Sequence, residues 1–103
     1  MMRSLEECRL ALDEVDRDIV RLFEQRMLIA RDVAAYKMAY ELPVLDRSRE
    51  EIVLASRVSM LGDGHFAPGV RKLYECIMAL SREEQERLLQ AEGKDAYWIG
   101  TFL

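Results

Sequence analysis

A chain of 103 residues, half of them hydrophobic, has the size of one domain and enough apolar material for a core. Its 15 Lys and Arg stand against 19 Asp and Glu, a formal charge of -4, so no global positive field argues for nucleic acid or an anionic membrane surface, and any anion site has to be local. The N-terminal MMRSLEECRLALDE carries charges where a secretory leader needs an apolar run, and no stretch approaches the roughly 20 apolar residues of a membrane span, so a cytoplasmic location without membrane contact is the expectation.

From Ser4 to Tyr40 there is neither Pro nor Gly. Leu5, Cys8, Leu12, Val15, Ile19, Leu22, then Arg26, then Ile29, Val33, Tyr36 and Tyr40 recur at spacings of mostly three and four, which predicts one sustained heptad helix. About 37 residues rising 1.5 Å each reach on the order of 55 Å. A compact domain of about 100 residues has a radius of gyration near 13 Å, so its own chain cannot bury such a seam. A second copy can, and the expectation is an intertwined helical homodimer about a two-fold axis. The competing picture, a kinked helix folded back as a monomeric bundle, lacks the Pro or Gly to make the kink.

Pro43, within ELPVL, breaks the first helix. Asp46 is a plausible N-cap for a second, short helix from about Arg47 to Met60. GDGHFAPG, residues 62–69, reads as a turn-rich loop, and Pro68 and Gly93 bracket a third helix with Val70, Leu73, Tyr74, Ile77, Met78, Leu80, Leu88 and Leu89 on its apolar face. No strand-like alternation competes, so the fold class is all-α: long, short, long. Residues 1–92 form the helical domain, and 93–103, with Tyr97, Trp98, Ile99 and Phe102, form an apolar tail that is expected to pack back on the assembly. Cys8 and Cys76 lie in helical patterns without metal-ligand spacing and read as core thiols. His65, the one histidine, reads as a loop residue.

Arg26 places a permanent charge on the apolar seam. It could fix helix register by pairing with an acidic residue, or it could bind an anion. Other polar residues break apolar patterns in the same way. Lys37 follows Arg26 by eleven residues, about three turns, on nearly the same face. On the third helix the stripe Val70, Tyr74, Ile77 runs into Ser81 and Gln85 before returning to Leu88. Asp46, Arg49 and Glu50 share one face of the second helix's first turn. Arg9 precedes Arg26 by 17 residues, about 25 Å, too far for one site within one chain but within reach of a partner's site if the long helices run antiparallel.

These residues carry a resemblance. CRLALDEVD followed by EQRMLIARDVAAYK, LPVLDRSREE, and SREEQ are similar to the motifs of the all-helical chorismate mutases, the AroQ class, over Leu5 to about Gln90. The ligand-binding positions of that family fall on Arg9, Arg26, Lys37, Asp46, Arg49, Glu50, Ser81 and Gln85. The resemblance implies the rearrangement of chorismate to prephenate in aromatic amino-acid synthesis, with no metal and no cofactor. It implies that Lys37 and Gln85 donate to the ether oxygen, and that Arg26, Arg49 and the partner chain's Arg9 hold the two carboxylates with help from Ser81. Glu50 would accept from the ring hydroxyl, and Asp46 would position that end. Lys37, Gln85 and Glu50 are the expected catalytic groups.

Two other readings fit the sequence. An isochorismate-pyruvate lyase of the same fold needs a similar cationic pocket and differs in its product. A non-catalytic helical dimerisation or ligand-sensing module would instead use Arg26 and Glu50 as a buried structural pair, whose rupture costs about 3 to 5 kcal/mol.

Overall fold

The computed structural model describes residues 2–92, and the apolar tail expected over 93–103 lies outside the described residues. Helix α1 spans Leu5–Ala39, α2 Arg47–Ser59 and α3 Ala67–Ala91, with a single 3-10 turn, Gly64–Phe66, ahead of α3. The described residues contain three α-helices and no strand, as the pattern predicts.

Local chemistry sets each boundary. Ser4 caps α1: its hydroxyl accepts from the Glu7 N–H at 3.1 Å, and the Glu7 carboxylate accepts from the Ser4 N–H at 3.2 Å, a reciprocal capping box. Asp46 caps α2 by accepting from the Arg49 N–H at 3.0 Å. Pro occupies the first turn of α3, where its missing N–H removes no helical bond. α3 therefore starts at Ala67, inside the stretch read as loop.

The turn after α1 depends on a strained residue. Glu41 sits at φ 54°, the left-handed region that favours glycine, while Leu42 N–H bonds the Lys37 carbonyl at 2.8 Å and Glu41 N–H bonds that of Met38 at 3.4 Å. An L-residue there costs about 1 to 2 kcal/mol. Glu41→Gly is expected to raise stability by about 1 kcal/mol, after the greater unfolded-chain freedom of glycine is deducted, as a higher midpoint in urea denaturation.

Cross-helix pairs give the directions. Arg31 bonds Glu84, and Met38 packs on the Val44–Leu89 cluster, so α1 and α3 advance together and run parallel. Glu50 pairs with Arg82, Val53 and Leu54 pack on Met78, and Arg57 lies over Tyr74, so α2 runs antiparallel to α3.

The internal core is small and uses a face of α1 that heptad counting misses. Ala30 and Ala34 are the buried residues of α1, and their short side chains let α3 approach closely. The seam itself stays uncovered within the chain: Leu5, Leu12, Val15, Ile19, Leu22, Ile29, Tyr36 and Tyr40 are each more than half exposed. Its N-terminal part projects beyond the rest, in a molecule measuring 58 × 26 × 16 Å with a radius of gyration of 17.4 Å. Two further expectations shift. Leu73 and Leu80 of α3 are exposed, because the packed stripe runs through Tyr74, Met78, Gln85 and Leu89 and leaves them about 100 to 180° away around the helix. Cys76 is exposed and Cys8 only partly buried, Cys76 being two residues, or about 200°, from the buried Met78.

Glu84 reads in sequence as one charge among many in SREEQER, yet it is buried. Arg31 Nε donates to its Oε1 at 2.7 Å and Arg87 donates to its Oε2, and the bond from Arg31 is the chief reason its carboxyl titrates below the usual range. A carboxyl whose pKa falls on folding adds stability that is full above its unfolded value and is lost as pH drops through the folded one. Glu84→Gln should therefore lower stability near neutrality by about 1 to 2 kcal/mol, a charged hydrogen bond discounted for two largely exposed guanidinium partners. It should also flatten the fall in melting temperature below about pH 4.5, which a thermal scan across pH would show.

Candidate active site

A cavity of about 340 Å³ opens where the three helices meet. α1 contributes Arg26 and Lys37 across a floor of Ile29, Ala30 and Val33; the α1–α2 connection and the start of α2 bring Val44, Asp46, Arg49 and Glu50; α3 adds Ser81 and Gln85. Seven of the eight residues singled out in sequence thus line one space. Arg9 does not, since it lies on the projecting half of α1, about 25 Å along the axis from Arg26.

Each side chain has a definite setting. Lys37 Nζ donates to the Val44 carbonyl at 2.6 Å, a neutral partner that leaves its charge unbalanced. Burial pushes the ammonium's pKa down, and the fields of Asp46 and Glu50 partly restore it. Arg26 is half-buried, and among the described residues it forms no ion pair. Burial is the first cause of its lowered pKa; the Tyr74 phenol opposes that shift, while Arg57 and Arg49 add to it. On α3, Gln85 Nε2 donates to Ser81 Oγ at 3.3 Å, and its buried Oε1 has no hydrogen-bond partner. An orphaned buried acceptor costs about 1 to 3 kcal/mol, and this one belongs to the same amide whose Nε2 meets Ser81.

Two lining residues escape sequence reading, Arg57 and Arg82. Arg82 Nη1 donates to Glu50 Oε2, so the partner of Glu50 is Arg82 and not Arg26. The structural pair required by the dimerisation-module reading is absent among the described residues. Arg57 lies two turns after Glu50 on the same face of α2, a spacing of 50, 53, 57 that would have flagged it. Arg82 gives no such signal, because it follows Ser81 in a charged run that looks solvent-facing. Altogether five cations and two carboxylates line the cavity, an excess of three positive charges. A partly enclosed space with that surplus and uncharged donors is suited to a small polyanion.

Among the described residues, no helix is long and apolar enough to cross a membrane.

The comparisons agree with this chemistry. The family model for chorismate mutase type II matches residues 8–86. A curated relative, the chorismate mutase of Methanocaldococcus jannaschii, is 36% identical over 53 residues, covering 52% of this chain and 54% of the relative. The chain thus spans about half the length of the curated relative it matches. No solved structure matches significantly. With the family match covering most of the three helices and the cavity between them, the chain belongs to the chorismate mutase type II family.

Proposed function

We propose that the protein is a homodimeric chorismate mutase that rearranges chorismate to prephenate, for aromatic amino-acid synthesis in the cytoplasm. The observation that carries this reading is the convergence of seven residues, drawn from three helices and one connection, on one cationic cavity. The reaction breaks a carbon–oxygen bond as a carbon–carbon bond forms within one molecule. It needs the flexible dianion confined in its reactive conformer and donors aimed at the ether oxygen as negative charge gathers there.

The cavity supplies both. Arg26 and Arg49 receive the carboxylates, with Ser81 beside them, and planar guanidinium groups suit such anions because they can bind two oxygens at once. Lys37 has three donors, so it can keep the Val44 carbonyl while another N–H meets the ether oxygen. Gln85 joins it by a half-turn of its amide. Ser81 then donates to Oε1, which satisfies the orphan, and Nε2 is released to the substrate. Glu50, held by Arg82, accepts from the ring hydroxyl, and Asp46 fixes that end through its cap on α2.

Dimerisation completes the site. The uncovered seam of α1 is the natural surface for a second copy. With two α1 helices antiparallel across a two-fold axis, Arg9 of each chain enters the cavity of the other.

The test is the loss of chorismate absorbance with purified protein, the product being identified as prephenate by acid conversion to phenylpyruvate. Turnover is expected, and Lys37→Ala should reduce kcat at least about a hundredfold, as loss of one oxyanion donor does. A folded dimer that leaves chorismate untouched would refute the reading, and release of pyruvate from isochorismate would replace it with the lyase.

A further inference from the structure

Three guanidinium groups in the cavity have no carboxylate to answer them. Arg82 is matched by Glu50, the Asp46 side chain is engaged at the start of α2, and Lys37 rests on the Val44 carbonyl. That leaves Arg26, Arg49 and Arg57, none of which is ion-paired among the described residues. Arg57 is nonetheless held in place. Its guanidinium lies 5.9 Å over the Tyr74 ring, and its Nη1 donates to Ser56 Oγ at 3.1 Å. Those contacts are worth about 1 kcal/mol each and neutralise nothing. They use the face of the guanidinium and one N–H, and a guanidinium has five. Arg57 and Arg49 line the same cavity as Arg26, and both act to lower its pKa.

We propose that Arg57 is a further substrate-binding residue: a third guanidinium, steadied by Tyr74 and Ser56, for the substrate carboxylate at the Arg26 end of the cavity. The inference rests on the chorismate mutase reading and adds to it a residue outside the set that the family motif marks. It also defines the role by kinetics. A carboxylate is fully charged before, during and after the rearrangement, so a group that binds it strengthens ground state and transition state alike. Loss of such a group raises KM and leaves kcat in place. Lys37 and Gln85, facing an oxygen whose charge develops only in the transition state, act on kcat.

The experiment compares the full chain with Arg57→Met, which keeps an apolar stem against Tyr74, and Arg57→Lys, which keeps the charge and loses the planar fork. Chorismate kinetics, calorimetric titration with prephenate and a thermal melt are measured for all three. Arg57→Met should raise KM and weaken prephenate binding by about ten- to a hundredfold, the equivalent of one charge-assisted hydrogen bond, with kcat within about threefold of wild type. Arg57→Lys should fall between. Unchanged KM in both variants overturns the inference, as does a fall in kcat at constant KM. A lower melting temperature with normal kinetics would assign Arg57 to a structural contact, including one with a partner chain, and would also overturn it. Should Arg57→Met fail to fold, the KM of Arg57→Lys decides alone. A wild type that neither turns over chorismate nor binds prephenate defeats the underlying reading, whereas an active wild type with kinetically normal variants defeats this inference only.

Discussion

Gln85→Glu is expected to give an enzyme that works in acid and fails above neutrality, with kcat/KM falling by about tenfold per pH unit once the new carboxyl ionises. Position 85 is one of the most buried polar sites among the described residues, and the donor that the turned amide would present is an amide hydrogen that no pH change in the ordinary range removes. A protonated carboxyl can make the same hydrogen bond to the ether oxygen. A carboxylate cannot, and it sets a negative charge against an oxygen that is itself becoming negative. Burial favours the neutral acid and raises its pKa, while Lys37 and the arginines of the cavity oppose that shift. Loss of one donor costs about a hundred- to a thousandfold, and the repulsion adds to it. Steady-state rates from pH 4.5 to 8.5 on both proteins decide the point. Wild-type activity for the variant at pH 8 would remove Gln85 from the ether oxygen.

The second large effect separates stability from activity at one position. Arg26→Met should raise KM so far that turnover at working chorismate concentrations is lost, and make the unliganded protein more stable, by about 1 kcal/mol. An unpaired guanidinium drawn partly out of water carries a desolvation cost that an apolar side chain avoids, and the gain is held to about 1 kcal/mol because this guanidinium is only half-buried. The direction follows from its surroundings: the charge is disfavoured by burial and by two neighbouring arginines, and no carboxylate offsets it. If Arg26 served a structural pair, the same substitution would destabilise the fold by several kcal/mol, so a melting curve beside an activity assay discriminates. An extension tests the shared site. Arg9→Ala and Arg26→Met are each inactive as pure dimers, but a mixed dimer has one pocket with its own Arg26 and a partner that supplies Arg9. Equal mixing with full subunit exchange should restore about a quarter of wild-type activity, since half the dimers are mixed and each has one of two sites intact. No recovery would refute the exchange of Arg9 between chains.

The helices were legible because their ends are chemically marked. Asp46 before Arg47 and Pro68 announce boundaries through a cap and a missing donor, and the structure places these within about one residue, while Pro43 follows the last residue of α1, Ala39, by four. Seven residues of the cavity lining were legible: Arg26, Ser81 and Gln85 because each interrupts an apolar stripe, Lys37 because it follows Arg26 on nearly the same face, and Asp46, Arg49 and Glu50 because they share one face of the first turn of α2. The packing face of α1 was not. Ala30 and Ala34 carry so little hydrophobic signal that counting passes over them in favour of Ile29 and Val33, one position earlier, although the smaller pair sits against α3. Glu84, Arg57 and Arg82 stayed hidden for a related reason. Charged residues on an amphipathic helix normally face water, and which of them turn inward depends on how α3 lies against α1 for Glu84 and against α2 for Arg57 and Arg82, which periodicity along one helix does not encode.

The grip on Lys37 has a consequence in conformational entropy. Its backbone carbonyl receives the Leu42 N–H and its ammonium reaches forward to the Val44 carbonyl, so both ends of one residue tie down the connection between α1 and α2. A free lysine side chain carries about 2 kcal/mol of rotamer freedom. Here much of that freedom is lost when the chain folds, and little remains to be lost when a ligand arrives. On the role proposed for Lys37, the donor is immobilised in advance, and the connection that immobilises it, strained at Glu41, would count as part of the site as much as the residues that face the cavity.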